Sequence, residues 1–148
     1  MKVKIKQWLW SAPFCCFLYF PSFETHSVQV IVNSSVPQKQ LSASHLRRIF
    51  TVRHRQWAND LPIKVFVLAK NNQVHKNFCL QKLEVFPYQL EKIWGKLLFS
   101  GLGEPPLVLT DEQQMIEMVR KTPGAIGYVD SLPQNSGVAI MKMESSDD

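Results

Sequence analysis

Short β-branched runs alternate with stretches of helical apolar periodicity along the chain, and that alternation predicts a compact α/β domain. Val28-Gln-Val-Ile-Val32 predicts a first strand, closed by the turn chemistry of Asn33-Ser-Ser-Val-Pro37. Ser42 or Ser44 then caps a short helix with Leu46, Ile49 and Phe50 on one face. A linker from Thr51 to Leu61, basic at first and anchored by Trp57, leads to a second strand at Ile63–Leu68, with Pro62 at its edge. Asn71 and Asn72 are N-cap candidates for a helix that reaches Lys82. Pro87 opens the next helix, where Leu90, Ile93, Trp94, Leu97 and Leu98 recur at helical spacing until Gly101-Leu-Gly-Glu-Pro-Pro106 breaks it. Thr110-Asp-Glu-Gln113 reads as the capping box of a further helix, whose buried face carries Met115, Ile116, Met118 and Val119.

The stretch Arg120-Lys-Thr-Pro-Gly-Ala-Ile-Gly-Tyr-Val-Asp130 is the most informative. The helix runs out at Thr122, Pro123 cannot continue it, and Gly124 can take the positive φ of a helix exit. Ala125–Val129 follows as a short buried strand, and Gly127 within it predicts a close backbone approach or a bulge. Leu132–Gly137 is a turn, Val138–Met143 a last strand, and 144–148 an acidic end expected to fray. No internal repeat, low-complexity tract or domain boundary interrupts this order.

The block Thr122–Val129, with Leu41-Ser-Ala-Ser-His-Leu-Arg-Arg-Ile-Phe50 and Trp57 upstream, resembles the phosphate-binding receptors of ABC transporters. It is still more similar to the small, single-lobe proteins akin to them, as are Tyr88–Trp94 and Phe99-Ser-Gly-Leu-Gly103 between the two blocks. The resemblance runs from Val28 to Met143. It implies a single lobe of a type II periplasmic-binding-protein-like fold, a small mixed sheet flanked by helices. It also implies an exported, non-catalytic solute-binding protein for phosphate or a related small anion. The larger receptors close two lobes over their ligand; this chain looks like the second lobe only, so a homodimer or another protein would supply the missing wall. In that family the strand equivalent to Ile63–Leu68 runs into an Arg and a Ser-Gly-Thr turn that starts a helix. Here Ala69-Lys-Asn-Asn-Gln-Val74 stands there, so Lys70 would supply charge and Asn71 and Asn72 would set the geometry. The glycine and the hydroxyl pair are absent, and lysine lacks arginine's bidentate fork. The competing reading of these three residues is an asparagine cap beside a solvated lysine.

Arg47, Arg48, Arg53, His54 and Arg55 form a second candidate, a patch for phosphate groups, acidic lipid or an acidic protein surface. Its plain alternative is the wet face of a helix and loop. It lacks an interleaved aromatic platform, Phe50 being read on the buried helix face, which speaks against nucleic acid. His45, His54 and His75 have no metal-ligand spacing, and no Gly-x-Ser-x-Gly elbow accompanies Cys79, read as a small buried hydrophobe. These absences disfavour a hydrolase; the chain reads as no enzyme, with no cofactor and no metal. Trp57, Trp94, Phe99 and Tyr128 read as core aromatics, and Leu102 as exposed.

The N-terminus adds an address. Lys2, Lys4 and Lys6 precede an uncharged, mostly apolar segment from Trp8 to Phe20, the pattern of an export signal cut before Val28. The expected division is therefore a signal at 1–27, the lobe at 28–143 and the acidic end at 144–148. Pro13 and the imperfect cleavage site leave an uncleaved, membrane-held form open. Cleavage would remove Cys15 and Cys16, leaving Cys79 alone and no disulfide possible. It would also take three of 17 basic and one of 12 acidic residues, lowering the net charge from +5 to +3. Mild basicity suits an anionic partner but is far from a nucleic-acid signature. The alternative function is a lobe that has lost its ligand and docks onto a partner in the cell envelope.

Overall fold

A computed structural model of the chain describes residues 27–144; the export signal read at 1–27 lies outside the described residues apart from Ser27, as do the last four residues. Ten elements follow in order: β1 (Gln29–Val32), β2 (Gln40–Leu41), α1 (Ala43–Phe50), β3 (Lys64–Leu68), α2 (Gln73–Gln81), α3 (Pro87–Ser100), β4 (Leu107–Leu109), α4 (Glu112–Lys121), β5 (Ala125–Val129) and β6 (Ala139–Met143). The strands form one mixed sheet in the order β2-β6-β1-β5-β3-β4. β1 runs antiparallel to β5 and β6, while β3 lies parallel to β4 and β5.

Side chains of β5 alternate between the two faces, and this separates the helices into layers. Tyr128 points to one face, where its ring stacks on Phe78 of α2 at 3.8 Å between centroids and meets Phe50 of α1 at 6.0 Å. The Trp94 indole of α3 donates to the Phe50 carbonyl at 2.8 Å and closes that layer. Gly127 points to the other face, where a Cβ would collide with the Met115 sulfur and lie 3.1 Å from Val119, both of α4. Of the two readings of this glycine, the close approach holds, with helix α4 as the element that approaches, and no bulge forms, because the register of β1 against β5 passes through it unbroken. All five residues of β5 are buried, as a strand covered on both faces requires.

Two expectations need correction, and two short strands had no counterpart in the sequence reading. Phe99, read as core, is 91% exposed, because it falls on the outer side of α3 when Leu90 and Trp94 face inward. Leu107-Val108-Leu109 and Gln40-Leu41 are edge strands too short to show an alternating pattern. The helix box begins one residue later than read: Asp111 is the N-cap of α4, accepting from Gln114 N–H at 2.8 Å, while the Gln114 side chain accepts from Thr110 N–H.

The helix exit is held at Gly124. Its φ is +73°, and a Cβ there would collide with the Pro62 carbonyl oxygen. Its N–H donates to Ser35 Oγ at 2.9 Å, and its carbonyl accepts from the Trp57 indole at 2.9 Å and from Lys64 N–H at 3.1 Å. Asn33 reinforces the junction from the end of β1, donating through Nδ2 to the Val119 and Arg120 carbonyls at the end of α4. Gly124→Ala is expected to cost about 2 kcal/mol or more in urea unfolding, from strain and collision together. Trp57→Phe, which removes only the indole donor and some packing, is expected to cost about 1 kcal/mol. Equal stability of Gly124→Ala and the unsubstituted chain would contradict this reading of the junction.

Candidate functional site

The parallel strands β3 and β4 both end at one edge of the sheet, and each is followed there by a helix N-terminus. Such edges are where open α/β sheets take ligands. The two mouths differ in charge. At α4, Asp111 already accepts the first-turn amide of Gln114, and Glu112 accepts from Asp130 N–H at 2.6 Å. Carboxylates fill that mouth, so a second anion meets like charge. At α2 no acidic residue stands in the first turn, and Lys70 is exposed in the turn from β3.

Asn72, half-buried, is the N-cap of α2. Its Oδ1 accepts from Val74 N–H at 2.8 Å and His75 N–H at 3.4 Å, and its own N–H donates to the Ala69 carbonyl. Asn71 is exposed in the turn. The structure therefore brings Lys70, Asn71 and Asn72 together at one helix mouth, with Asn72 turned inward as a cap. Among the described residues the Gln73 amide alone of that first turn is left without a partner. A small oxyanion entering here must take the place of the Asn72 side chain on the amides of Val74 and His75.

The basic patch is divided by its own hydrogen bonds. Arg47 donates through Nε to the Leu83 carbonyl at 2.7 Å and pairs with Glu84 at 2.9 Å, tying α1 to the turn after α2. Arg55 donates through Nε to the Val52 carbonyl and through a terminal nitrogen to the Leu102 carbonyl at 2.9 Å, holding the loop after α3. Arg48 and Arg53 are exposed. The His54 ring meets His45 edge to face at 4.7 Å, and burial, then the neighbouring His54 and Arg48, lower the His45 pKa. Two of the four arginines thus hold the fold and two face solvent.

A buried chain of polar groups behind the α2 mouth escaped the sequence reading. Tyr128 Oη accepts from Leu68 N–H at 2.8 Å and lies 2.5 Å from His75 Nδ1. The other ring nitrogen, Nε2, faces Cys79 Sγ at 3.5 Å, so the His75 imidazole bridges the tyrosine hydroxyl and the thiol. Burial lowers the His75 pKa to about 4 and pushes the Cys79 thiol up to about 12, so Cys79 is no thiolate nucleophile. Among the described residues no cluster of His, Cys, Asp or Glu is arranged to hold a metal ion. Also among them, no helix is long and apolar enough to cross a membrane. His75 was a polar letter in an apolar helix, and only its pairing with Tyr128, 53 residues away, gives it a role.

Solved structures share this architecture. A phosphate transport receptor of ABC type from Vibrio cholerae superposes with a TM-score of 0.61 and 17% identity, over 82% of this chain and 47% of that one. A putative phosphate ABC transporter substrate-binding protein with bound phosphate, from Clostridium perfringens, gives 0.63 and 16%, over 79% and 44%. PstS from Borrelia burgdorferi gives 0.58 and 16%, over 82% and 49%. The fold is that of a phosphate-receptor lobe. The chain spans about half the length of these proteins, with a six-stranded mixed sheet between helices. No family model matches it, and no curated protein matches it at a significant level.

The buried imidazole of this lobe makes stability depend on pH. Its folded pKa, about 4, lies below its ordinary value of 6.5, so the unfolded chain binds the proton more tightly. The contribution is full above pH 6.5 and is lost as the pH falls toward 4, an effect on the order of 2–3 kcal/mol. His75→Gln is expected to flatten the slope of unfolding free energy between those two pH values, measured by urea titration. An unchanged slope would show that the ring does not titrate as described.

Proposed function

We propose that the chain is a non-catalytic, phosphate-receptor-like binding protein of the cell envelope that takes a small oxyanion, phosphate or a relative, at the mouth of α2. The observation that carries this reading is the contrast between the two helix mouths at one sheet edge: α4 is filled by carboxylates, whereas α2 follows Lys70 and has no acidic first turn. The fold shared with phosphate receptors supports the same ligand class. Helix N-terminal amides and the Lys70 ammonium would meet the phosphate oxygens, with Asn71 beside them and the Asn72 side chain displaced from the amides it caps. A single lobe leaves the ion open on one side, so a second copy or a partner protein would cover it. Export through residues 1–27 would place it in the periplasm, or on the membrane if the segment is not removed.

A second reading is favoured by Asn72, which already satisfies the amides an anion would use. The lobe would then have lost its ligand and would dock onto an envelope partner, with Arg48 and Arg53 available to it and Arg47 and Arg55 committed to the fold.

Calorimetric titration of phosphate, with sulfate as control, separates the readings. Lys70→Ala is expected to weaken phosphate binding. Asn72→Gly is expected to strengthen it, because it frees two amides at a cost to the helix of only a few tenths of a kcal/mol. Absence of heat from phosphate in both the unsubstituted chain and Asn72→Gly, each well folded, would overturn the anion reading and leave the docking module.

A further inference from the structure

We propose that the groove between the end of α1, α3 and the loop after α3 is a docking site for an acidic amphipathic helix of a partner protein, laid across α3 at Gly95. The inference deepens the docking reading given above and does not depend on an anion at α2.

The groove is open, about 1180 Å³ in volume. Its cations are Arg53, Lys92 and Lys96, together with Arg55, whose side chain is held against the Val52 and Leu102 carbonyls but keeps its charge, and no carboxylate lines it. Among the described residues none of these four side chains is in an ion pair. Val52, Ile93 and Leu97 give an apolar floor, and Phe99 and Leu102 stand out from its rim, Leu102 at 73% exposure. A partner that suits these groups is apolar on one side and negatively charged along its flanks.

Two local costs fall on the same groove. Gly95 sits in the middle of α3, where glycine is unfavourable relative to alanine, yet a Cβ there would meet nothing within 4 Å. No internal contact calls for a glycine at this place. A bare helix backbone does, however, allow another helix to cross closely. Gly95 also borders the neighbouring hollow lined by Lys70, Leu98 and Val108, so it forms a saddle between two depressions on either side of α3. The second cost is Val52, which among the described residues is the one β-branched side chain of the four non-glycine residues with positive φ, at +59°. Backbone held this way by its surroundings concentrates at binding sites.

The saddle favours a helix over a membrane surface, which would use the protruding Phe99 and Leu102 but gains nothing from a bare position on α3. It also favours a different protein over a second copy. The acidic cluster of Asp111, Glu112 and Glu117 belongs to the start of α4, on the opposite face of the sheet. Acid-to-base contacts between copies would therefore add head to tail without closing into a symmetric pair.

The test uses a fluorescent peptide of about 18 residues, leucine and alanine on one helical face and glutamate on the other, titrated into the full chain and read by anisotropy. Saturable binding is expected, with none to a scrambled peptide of the same composition. Gly95→Leu fills the saddle and is expected to weaken binding about tenfold or more while the melting temperature holds or rises. Lys92→Glu combined with Lys96→Glu, on an exposed helix face, is expected to do the same. No binding, equal binding of the scrambled peptide, or binding unaffected by both variants would overturn the proposal. So would either competing occupant: vesicles of about 30% anionic phospholipid taking up the chain through Phe99 and Leu102, or self-association abolished by Gly95→Leu. Loss of peptide binding with phosphate binding intact would remove this inference alone.

Discussion

The lobe depends on the junction at Gly124, where a carbonyl shared by the Trp57 indole and the Lys64 amide meets an N–H held by Ser35. Three remote segments converge there: the turn after β1, the basic linker and the exit of α4. No side chain fits at Gly124, because the Pro62 carbonyl occupies the space a Cβ would need. The junction also sets a register. Lys64 pairs with Ala125 immediately after it, and the parallel alignment of β3 with β5 follows from that first pair. β3 in turn aims the chain into Lys70 and the α2 mouth, so the candidate site inherits its position from a glycine with no ligand role.

Behind that mouth the structure uses polar groups to fix the core rather than to react. Tyr128 Oη accepts from the Leu68 amide and shares a hydrogen bond with His75 Nδ1, at the point where β3 leaves the sheet. A fully partnered buried network of this kind specifies one arrangement of strand and helix. Phe50, Phe78 and Tyr128 pack around it and join α1, α2 and the sheet. Rigidity at the rear contrasts with the solvent-facing front, where Lys70 and Asn71 are exposed and Asn72 alone closes the helix end.

Much of the architecture was legible in local patterns. Pro87 at the first position of α3, Asn72 at the cap of α2 and Gly124 at the exit of α4 each read as they stand, because the chemistry of caps and exits is local. Phe99 was misread because apolar periodicity does not say which side of a helix is covered, and α3 keeps apolar residues on its outer side. Gly127 was legible as a close approach, but the element that approaches was not, because it lies in α4 rather than in its own strand. For the site, Asn72 as the cap of α2 and Lys70 beside it were legible from sequence, because a cap is local chemistry, but the buried Tyr128–His75 pair behind them was not, since it joins residues far apart in the chain. The division of the arginines into two that hold loops and two that face solvent likewise depends on carbonyls of Leu83 and Leu102, far away in the chain.

Amide-resolved NMR of the chain during a phosphate titration tests the central claim most directly. The account predicts saturable shifts concentrated on the amides of Gln73, Val74 and His75, with the Lys70 and Asn71 signals following and the β1–β6 pair unmoved. Shifts that instead spread over the exposed arginines without saturating, or an unperturbed α2 mouth in a well-dispersed spectrum, would contradict it.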